Sequence, residues 1–281
     1  MNRDAFSLYM HETTRDDTGT IKSYMKALEL VGKMIHQSPE GFGDCENIWL
    51  ISTDARLRAL EEKIRHEQKK EEASVWYLKG QKSYLQKGFC SAAIAHYRRF
   101  LLERKHQDKL MNLFRSHQGD PDELAKLLNK EVKLPKDIQK ELKGKEAIRQ
   151  VKVRTNQGAF RDMVLETYQN RCCITGLDIP QLCIASHIIP WSDCKETRMD
   201  VRNGLCLSAT YDKAFDKHLI SLDEDYSLLV SPAIRDHYRN DHARDLFEKR
   251  EGQVISMPKN ADRWPLQSYL EVHRKKSLNV G

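Results

Sequence analysis

The stretch 157–221 constrains the fold of this chain most, because its pattern of apolar residues changes twice within it. Residues 158–170 have apolar side chains at helical spacing and predict an amphipathic helix. Short apolar runs separated by turn-forming residues follow: CCITG, LCIASHIIPW and NGLCLS. These runs predict a strand that ends at His187, a loop, a turn at Asn203–Gly204 and a second short strand. A helix near Asp212 completes a two-stranded ribbon followed by a helix.

The helix after the ribbon carries two carboxylates that can act with a histidine. Asp212 and Asp216 are four residues apart, so both face one side of that helix. With His187 at the strand end, they can enclose a divalent ion. Hydrolysis of a phosphodiester needs a base that deprotonates water and a hard cation that stabilises charge on the reacting phosphate. Oxygen ligands suit Mg²⁺, which keeps several waters and takes one or two carboxylates.

Three spaced motifs occupy this stretch in order: A-S-H-I-I-P-W, R-x-D-x-x-N-G-L-x-L and Y-D-x-A-F-D-x-x-x-I. With the run R-C-C-I-T-G before them, they resemble the HNH nuclease (ββα-metal) superfamily, and in particular its bacterial restriction-type branch. The resemblance covers about 80 residues and indicates a domain of this type at roughly 146–240. It implies a metal-dependent DNA endonuclease of bacterial restriction or anti-phage defence, with one Mg²⁺ or Mn²⁺ ion per active site.

The resemblance also implies a role for each matching residue. His187 corresponds to the general base that activates water, and Asn203 to the asparagine that braces the loop and orients the base. Asp212 and Asp216 correspond to metal ligands on the helix. Each residue also has a purely structural interpretation. His187 could be a hydrogen-bonded structural histidine, and Asn203 could simply form a turn with Gly204. Asp212 could be a helix N-cap, and Asp216 could pair with a neighbouring lysine.

Two positions depart from the family pattern. Ser186 stands where many relatives have Asp, His or Glu as a metal ligand. Either Asp212 and Asp216 are the chief ligands of the ion, or Ser186 contributes through its hydroxyl or a water. Tyr211 stands where relatives often have histidine. Arg198 and Asp200 match the R-x-D element, and we expect them to fix the loop or touch phosphate. Trp191 is expected to be a packing anchor beside this loop.

The net charge of the chain, +6, comes from one segment. Residues 104–154 contain fourteen Lys and Arg against eight Asp and Glu, an excess equal to the whole net charge. Such a run indicates either phosphate contacts or the solvated face of a linker. The candidate nucleic-acid-binding residues are Lys145, Arg149, Lys152, Arg154, Arg198 and Lys213.

The chain before this segment is predicted to be helical. Apolar stripes at helical spacing fall within 20–35, 52–64 and 88–103, and short helices are predicted around 121–130 and 135–143. We therefore predict an α+β chain with an all-helical N-terminal domain at 1–103, a basic linker at 104–145 and an HNH domain at 146–281 with flanking helices.

The role of the helical domain is open at this stage. Its pattern resembles the helical amino-terminal segments of some restriction and defence nucleases, and the core-binding domain of tyrosine recombinases. These resemblances imply DNA binding, and dimerisation or partner docking is the alternative. Cleavage of both strands by a site with one metal ion would need two copies or sequential nicks, so we expect a homodimer.

Cysteine spacing and hydropathy argue against a structural zinc site, a secreted protein and a membrane protein. The seven cysteines are scattered without a second pair at zinc-site spacing, so we expect free thiols and no structural zinc. No apolar run approaches the ~20 residues that cross a bilayer, and the acidic start does not resemble a signal peptide. We expect a cytoplasmic protein that binds no membrane.

Three functions fit these patterns. The first is a DNA endonuclease. The second is a catalytically inactive HNH fold that only binds DNA, which the departure at Ser186 favours. The third is an RNA-cleaving or toxin nuclease.

Overall fold

The computed structural model describes residues 2–14, 19–117, 119–131, 133–134, 136, 139, 142 and 145–277. The chain divides into two compact units. The first comprises Met1–Lys105 with Lys136–Glu141, and the second comprises His106–Pro135 with Leu142–Gly281. The predicted α+β class, with a helical N-terminal part and small antiparallel strands near the C-terminus, is confirmed.

The first unit is helical. Its helices are α1 (Asn2–Thr13), α2 (Thr20–Gln37), α3 (Asp54–Gln68), α4 (Lys82–Gln86) and the first part of α5 (Phe89–Ser116). Helices form at all three predicted stripes. Aromatic side chains fill the core, where Phe6 meets the edge of Tyr97 at a ring distance of 5.3 Å. A buried ion pair joins α3 to α5, with 2.7 Å between Arg98 Nη1 and Glu61 Oε2.

The second unit contains both small sheets. Its remaining helices are α6 (Pro121–Glu131), α7 (Lys145–Thr167), α8 (Ala209–Asp216), α9 (Pro232–Arg235), α10 (Asp241–Leu246) and α11 (Gln267–Ser277). Its strands are β1 (Cys183–His187), β2 (Gly204–Ser208), β3 (Ile220–Leu222) and β4 (Leu228–Val230).

The predicted ribbon and helix form as expected. Strands β1 and β2 pair antiparallel, with Cys183 opposite Ser208 and His187 opposite Gly204. Helix α7 packs on this ribbon, and α8 follows β2 directly and packs back on both strands. Because side chains alternate between the two faces of a strand, Ser186 and His187 point to opposite faces at the end of β1.

The segment predicted to be a linker differs from that expectation. Helix α5 continues to Ser116, and α6 forms where a short helix was predicted. Both contribute buried side chains to the core of the second unit, namely Leu110, Phe114, Leu124 and Leu128. The physical reason is the spacing of four residues within each pair, which gives each helix an apolar face among the lysines. The helix predicted at 135–143 falls mostly outside the described residues.

Two further findings concern the rest of the chain. All seven cysteines are free, and six of them are buried. Over the part of the chain that the structure describes, no helix is both long and apolar enough to cross a membrane.

The Phe114→Ala substitution tests whether 106–135 belongs to the second unit. Phe114 is fully buried, and its ring lies under the Arg263 guanidinium at 4.0 Å. We expect the free energy of unfolding to fall by about 3–5 kcal/mol, the usual loss for a buried phenylalanine. Chemical denaturation followed by circular dichroism measures it, with Asn112→Ala on the exposed side of α5 as the control. Equal stability of the two variants would contradict this packing.

Candidate active site

His187 is held at the end of β1 by one hydrogen bond and two aromatic contacts. Its Nε2 lies 3.1 Å from the backbone oxygen of Arg198. Since a carbonyl oxygen only accepts, Nε2 carries the proton and Nδ1 is left as an acceptor. The ring stacks on Phe160 at 3.7 Å and meets the edge of Trp191 at 5.5 Å. Burial lowers the pKa of His187 to about 4, against the hydrogen bond to Arg198, so the ring is neutral near pH 7.

The close packing beneath His187 explains why residue 204 is a glycine. Gly204 is extended, with φ −129° and ψ 141°, and opens β2, while its amide donates to the Val201 carbonyl; the chain therefore turns over residues 201–204, with Asn203–Gly204 at the end of the turn. A Cβ at this position would lie 2.5 Å from Val164 Cγ2 and 2.9 Å from Phe160 Cζ. Glycine is therefore required because α7 approaches the strand at this point, where Phe160 supports the imidazole.

Asn203 ties together the loop between the strands. Its side chain is fully buried, and Oδ1 accepts from the Ile189 amide at 2.8 Å. Nδ2 donates to the backbone oxygens of Ile189 and Thr197 at 3.0 and 3.2 Å. Leaving one of these buried backbone groups unpaired would reduce the stability of the fold by about 1–3 kcal/mol. The three bonds therefore hold the loop in one conformation.

Arg198 is fixed within the same loop. Its Nε donates to the backbone oxygen of Trp191 at 2.7 Å, and its guanidinium lies over the Trp191 ring at 5.1 Å. Because its own carbonyl receives the His187 bond, the conformation of Arg198 sets the orientation of the imidazole. Trp191 packs against the core of the unit and contacts both residues.

The carboxylate pair lies on α8, on the other side of β1. Burial raises the pKa of Asp212, the negative charge of Asp216 raises it further, and the Ser186 hydroxyl opposes both effects. Asp212 is not a helix N-cap, because the helix begins at Ala209 and Ser208 occupies the capping position. Ser186 is 3% exposed, and its Oγ faces the Asp212 carboxylate without the geometry of a full hydrogen bond.

These oxygens fit a hard cation that has few protein ligands. Two adjacent carboxylates and a buried unpaired hydroxyl would all be satisfied by a positive ion, and Mg²⁺ commonly takes one or two carboxylates and keeps its waters. Among the described residues, no group of three or more His, Cys, Asp or Glu side chains could hold a metal. A resident ion would therefore depend on Asp212, Asp216, the Ser186 hydroxyl, and oxygens from water or substrate.

Of the six predicted nucleic-acid-binding residues, two lie at this centre and four lie along α7. Arg198 is in the loop, and Lys213 is exposed on α8 next to Asp212. Lys145 and Arg149 are exposed at the start of α7. Lys145 is fifteen residues before Phe160, or about 22 Å along the helix axis at 1.5 Å per residue. Lys152 and Arg154 are half-buried between these two points.

Sequence reasoning missed two residues that shape the site. Phe160 was assigned only to the inner face of a helix, although it forms the stacking surface for His187. Arg202 was not identified, although it is 9% exposed and forms a bidentate pair with Asp200 at 2.9 and 2.8 Å. The signal for Arg202 was its position directly before Asn203 and two residues after Asp200.

Residues 172–223 match a protein-family model described as HNH endonuclease. The match covers β1, β2 and α8, and therefore the His187, Asn203 and Asp212 positions. The superfamily predicted from the motifs is confirmed for this segment. Nucleases of this family generally use divalent metal ions. A comparison with curated proteins gave no match to the chain.

A titration of the His187 imidazole by NMR in metal-free protein tests the burial of the ring. We expect a pKa near 4 in the folded state and an ordinary value of about 6.5 in urea. Unfolding therefore takes up a proton between about pH 6.5 and 4, so this residue lowers the free energy of unfolding as the pH falls through that window. A folded-state pKa near 6.5 would mean that the ring is open to solvent.

Proposed function

Because residues 172–223 belong to the HNH endonuclease superfamily, we propose that this chain is a metal-dependent endonuclease that hydrolyses phosphodiester bonds in DNA. The observation that carries the proposal is the neutral imidazole of His187, fixed through Nε2 to the Arg198 carbonyl, one residue away from a hydroxyl that faces a carboxylate. Phosphodiester hydrolysis requires a base and a cation, and we propose that the scissile phosphate lies across the end of β1, between His187 on one face and the side of Ser186 and Asp212 on the other.

His187 acts as the general base. Nδ1 takes a proton from a water molecule as the water oxygen attacks phosphorus, and the phosphorus–oxygen bond to the leaving group breaks on the opposite side. The ring needs no prior deprotonation, because burial keeps it neutral near pH 7. Asn203 keeps the loop closed, so the Arg198 carbonyl continues to orient the ring.

Asp212 and Asp216, with the Ser186 hydroxyl, are the proposed ligands of one Mg²⁺ or Mn²⁺ ion. Such an ion would supply positive charge to the phosphate oxygens during hydrolysis. The raised pKa of Asp212 supports this assignment, because a cation at this position would offset both its burial and the charge of Asp216.

Basic side chains are proposed to position the nucleic acid. Arg198 and Lys213 lie nearest the reacting groups and are proposed to contact the phosphates around the scissile bond. The basic start of α7, with Lys145 and Arg149, would contact phosphates further along the duplex.

Cleavage assays on supercoiled plasmid and on phage DNA, in Mg²⁺, in Mn²⁺ and in EDTA, test the activity. We expect metal-dependent nicking or linearisation that falls by about 10²–10⁴-fold in His187→Ala, the usual contribution of a general base. Asp212→Asn should lose activity and bind metal more weakly in a calorimetric titration. His237→Ala, an exposed histidine elsewhere in the unit, is the matched control.

The two other candidate functions predict different outcomes of this assay. DNA binding without cleavage in either metal would favour the inactive HNH fold, which the departure at Ser186 favours. Faster cleavage of RNA than of DNA, or death of the host on expression, would favour an RNA-cleaving or toxin nuclease.

We also propose that the chain acts in bacterial restriction or anti-phage defence, in the cytoplasm and as a homodimer. The restriction-type motifs around His187 support this role. Expression in a bacterial host should lower phage plating efficiency, and His187→Ala should abolish that protection. Equal plating with both forms would exclude the defence role, and analytical ultracentrifugation would show whether the chain is a dimer.

A further inference from the structure

Helix α6 packs behind the loop that joins β1 to β2. Its buried face, with Leu124, Ala125 and Leu128, lines one small cavity together with Met199 and Val201. This places the N-terminal turn of α6 beside the residues that lead into Asn203.

The first polar contact from α6 reaches Arg202. Arg202 Nη2 donates to Asp122 Oδ1 at 2.5 Å and to Asp200 Oδ2 at 2.8 Å. The Tyr269 hydroxyl donates to the same Asp200 oxygen at 3.0 Å. Arg202 is thus shared between a buried carboxylate of its own loop and a carboxylate of α6 whose side chain is 64% exposed.

A second contact reaches the other end of the loop. Asn129 Nδ2 donates to the backbone oxygen of Glu196 at 2.5 Å, and also to that of Ala125 within α6. Glu196 directly precedes Thr197, whose backbone oxygen accepts from Asn203. Helix α6 therefore contacts the chain next to both Thr197 and Asn203.

We infer that α6 is a positioning element for the catalytic loop, with Asp122 and Asn129 as its positioning residues. They act on His187 through the chain of contacts from Arg202 and Glu196 to Asn203, and from the loop to the Arg198 carbonyl. The inference rests on the proposed nuclease function. An acidic residue of a segment with net positive charge thus positions the site, whereas the charge of that segment indicated either phosphate contacts or a solvated linker face.

Positioning of this kind changes turnover more than substrate binding. A displacement of about 1 Å at a reacting group can reduce a rate by as much as 10²-fold. Asp122 and Asn129 bond to Arg202 and to the Glu196 carbonyl rather than to a proposed phosphate-contacting side chain, so the Michaelis constant should change less than kcat when they are replaced.

The test compares Asp122→Ala and Asn129→Ala in the full chain with Glu123→Ala, which removes the neighbouring exposed carboxylate in the same turn of α6. On supercoiled plasmid we expect kcat to fall about ten-fold in the first two variants, with KM within about two-fold of wild type. Asp122→Glu, which keeps the charge, should recover most of the lost kcat. Glu123→Ala should match wild type.

Hydrogen exchange of residues 188–198 in the same proteins gives a readout that does not depend on activity. In Asp122→Ala and Asn129→Ala, the backbone amides of this loop should exchange faster than in wild type. The exchange rates in strands β3 and β4 should be unchanged. Faster loop exchange in a protein whose wild type cuts no nucleic acid would retain the positioning role and reject the nuclease function. Unchanged exchange and kcat, faster exchange throughout the unit, or an equal loss in Glu123→Ala would each overturn the inference.

Discussion

The loop between the two strands depends on the side-chain amide of Asn203. The backbone of this loop is buried at both ends, at Ile188 and at 199–203, so its polar groups cannot all reach water. Only an amide can accept from one backbone N–H and donate to two carbonyls, as Asn203 does with Ile189 and Thr197. Aspartate would lose both donated bonds, and leucine would lose all three. The Arg198 carbonyl that orients His187 belongs to this loop, so the geometry of the base follows from the same amide.

Local periodicity was sufficient to predict the elements that form the site. The strand that ends at His187 and the helix that carries Asp212 follow from alternating and helical patterns, which depend on neighbouring residues only. The segment after residue 104 was harder, because its lysines obscure the apolar positions of Leu110 and Phe114. A basic helix with one buried face has nearly the composition of a solvated linker, and composition alone does not distinguish the two.

The contacts that complete the site join residues far apart in the sequence, and no local pattern contains them. Phe160 meets His187 across 27 positions, and Asp122 meets Arg202 across 80. Asn203–Gly204 illustrates this limit of prediction from local sequence. The dipeptide is typical of a turn, yet its glycine is required by the close approach of a helix from elsewhere in the unit. The residue types alone indicated which side chains could act as base and metal ligands. The residues that hold those side chains in place could be identified only from the three-dimensional structure.

The absence of a side chain at Gly204 makes three positions interdependent. The space that a methyl group would need is already filled by Val164 and Phe160. A chain that carried alanine at 204 would need a smaller residue at 164 or 160, and a smaller residue at 160 would leave the imidazole without its stacking partner. Substitution at 204 should therefore be accompanied by substitution at 164 rather than at 160. The apolar packing beneath the base thus restricts which changes the polar motif can accept.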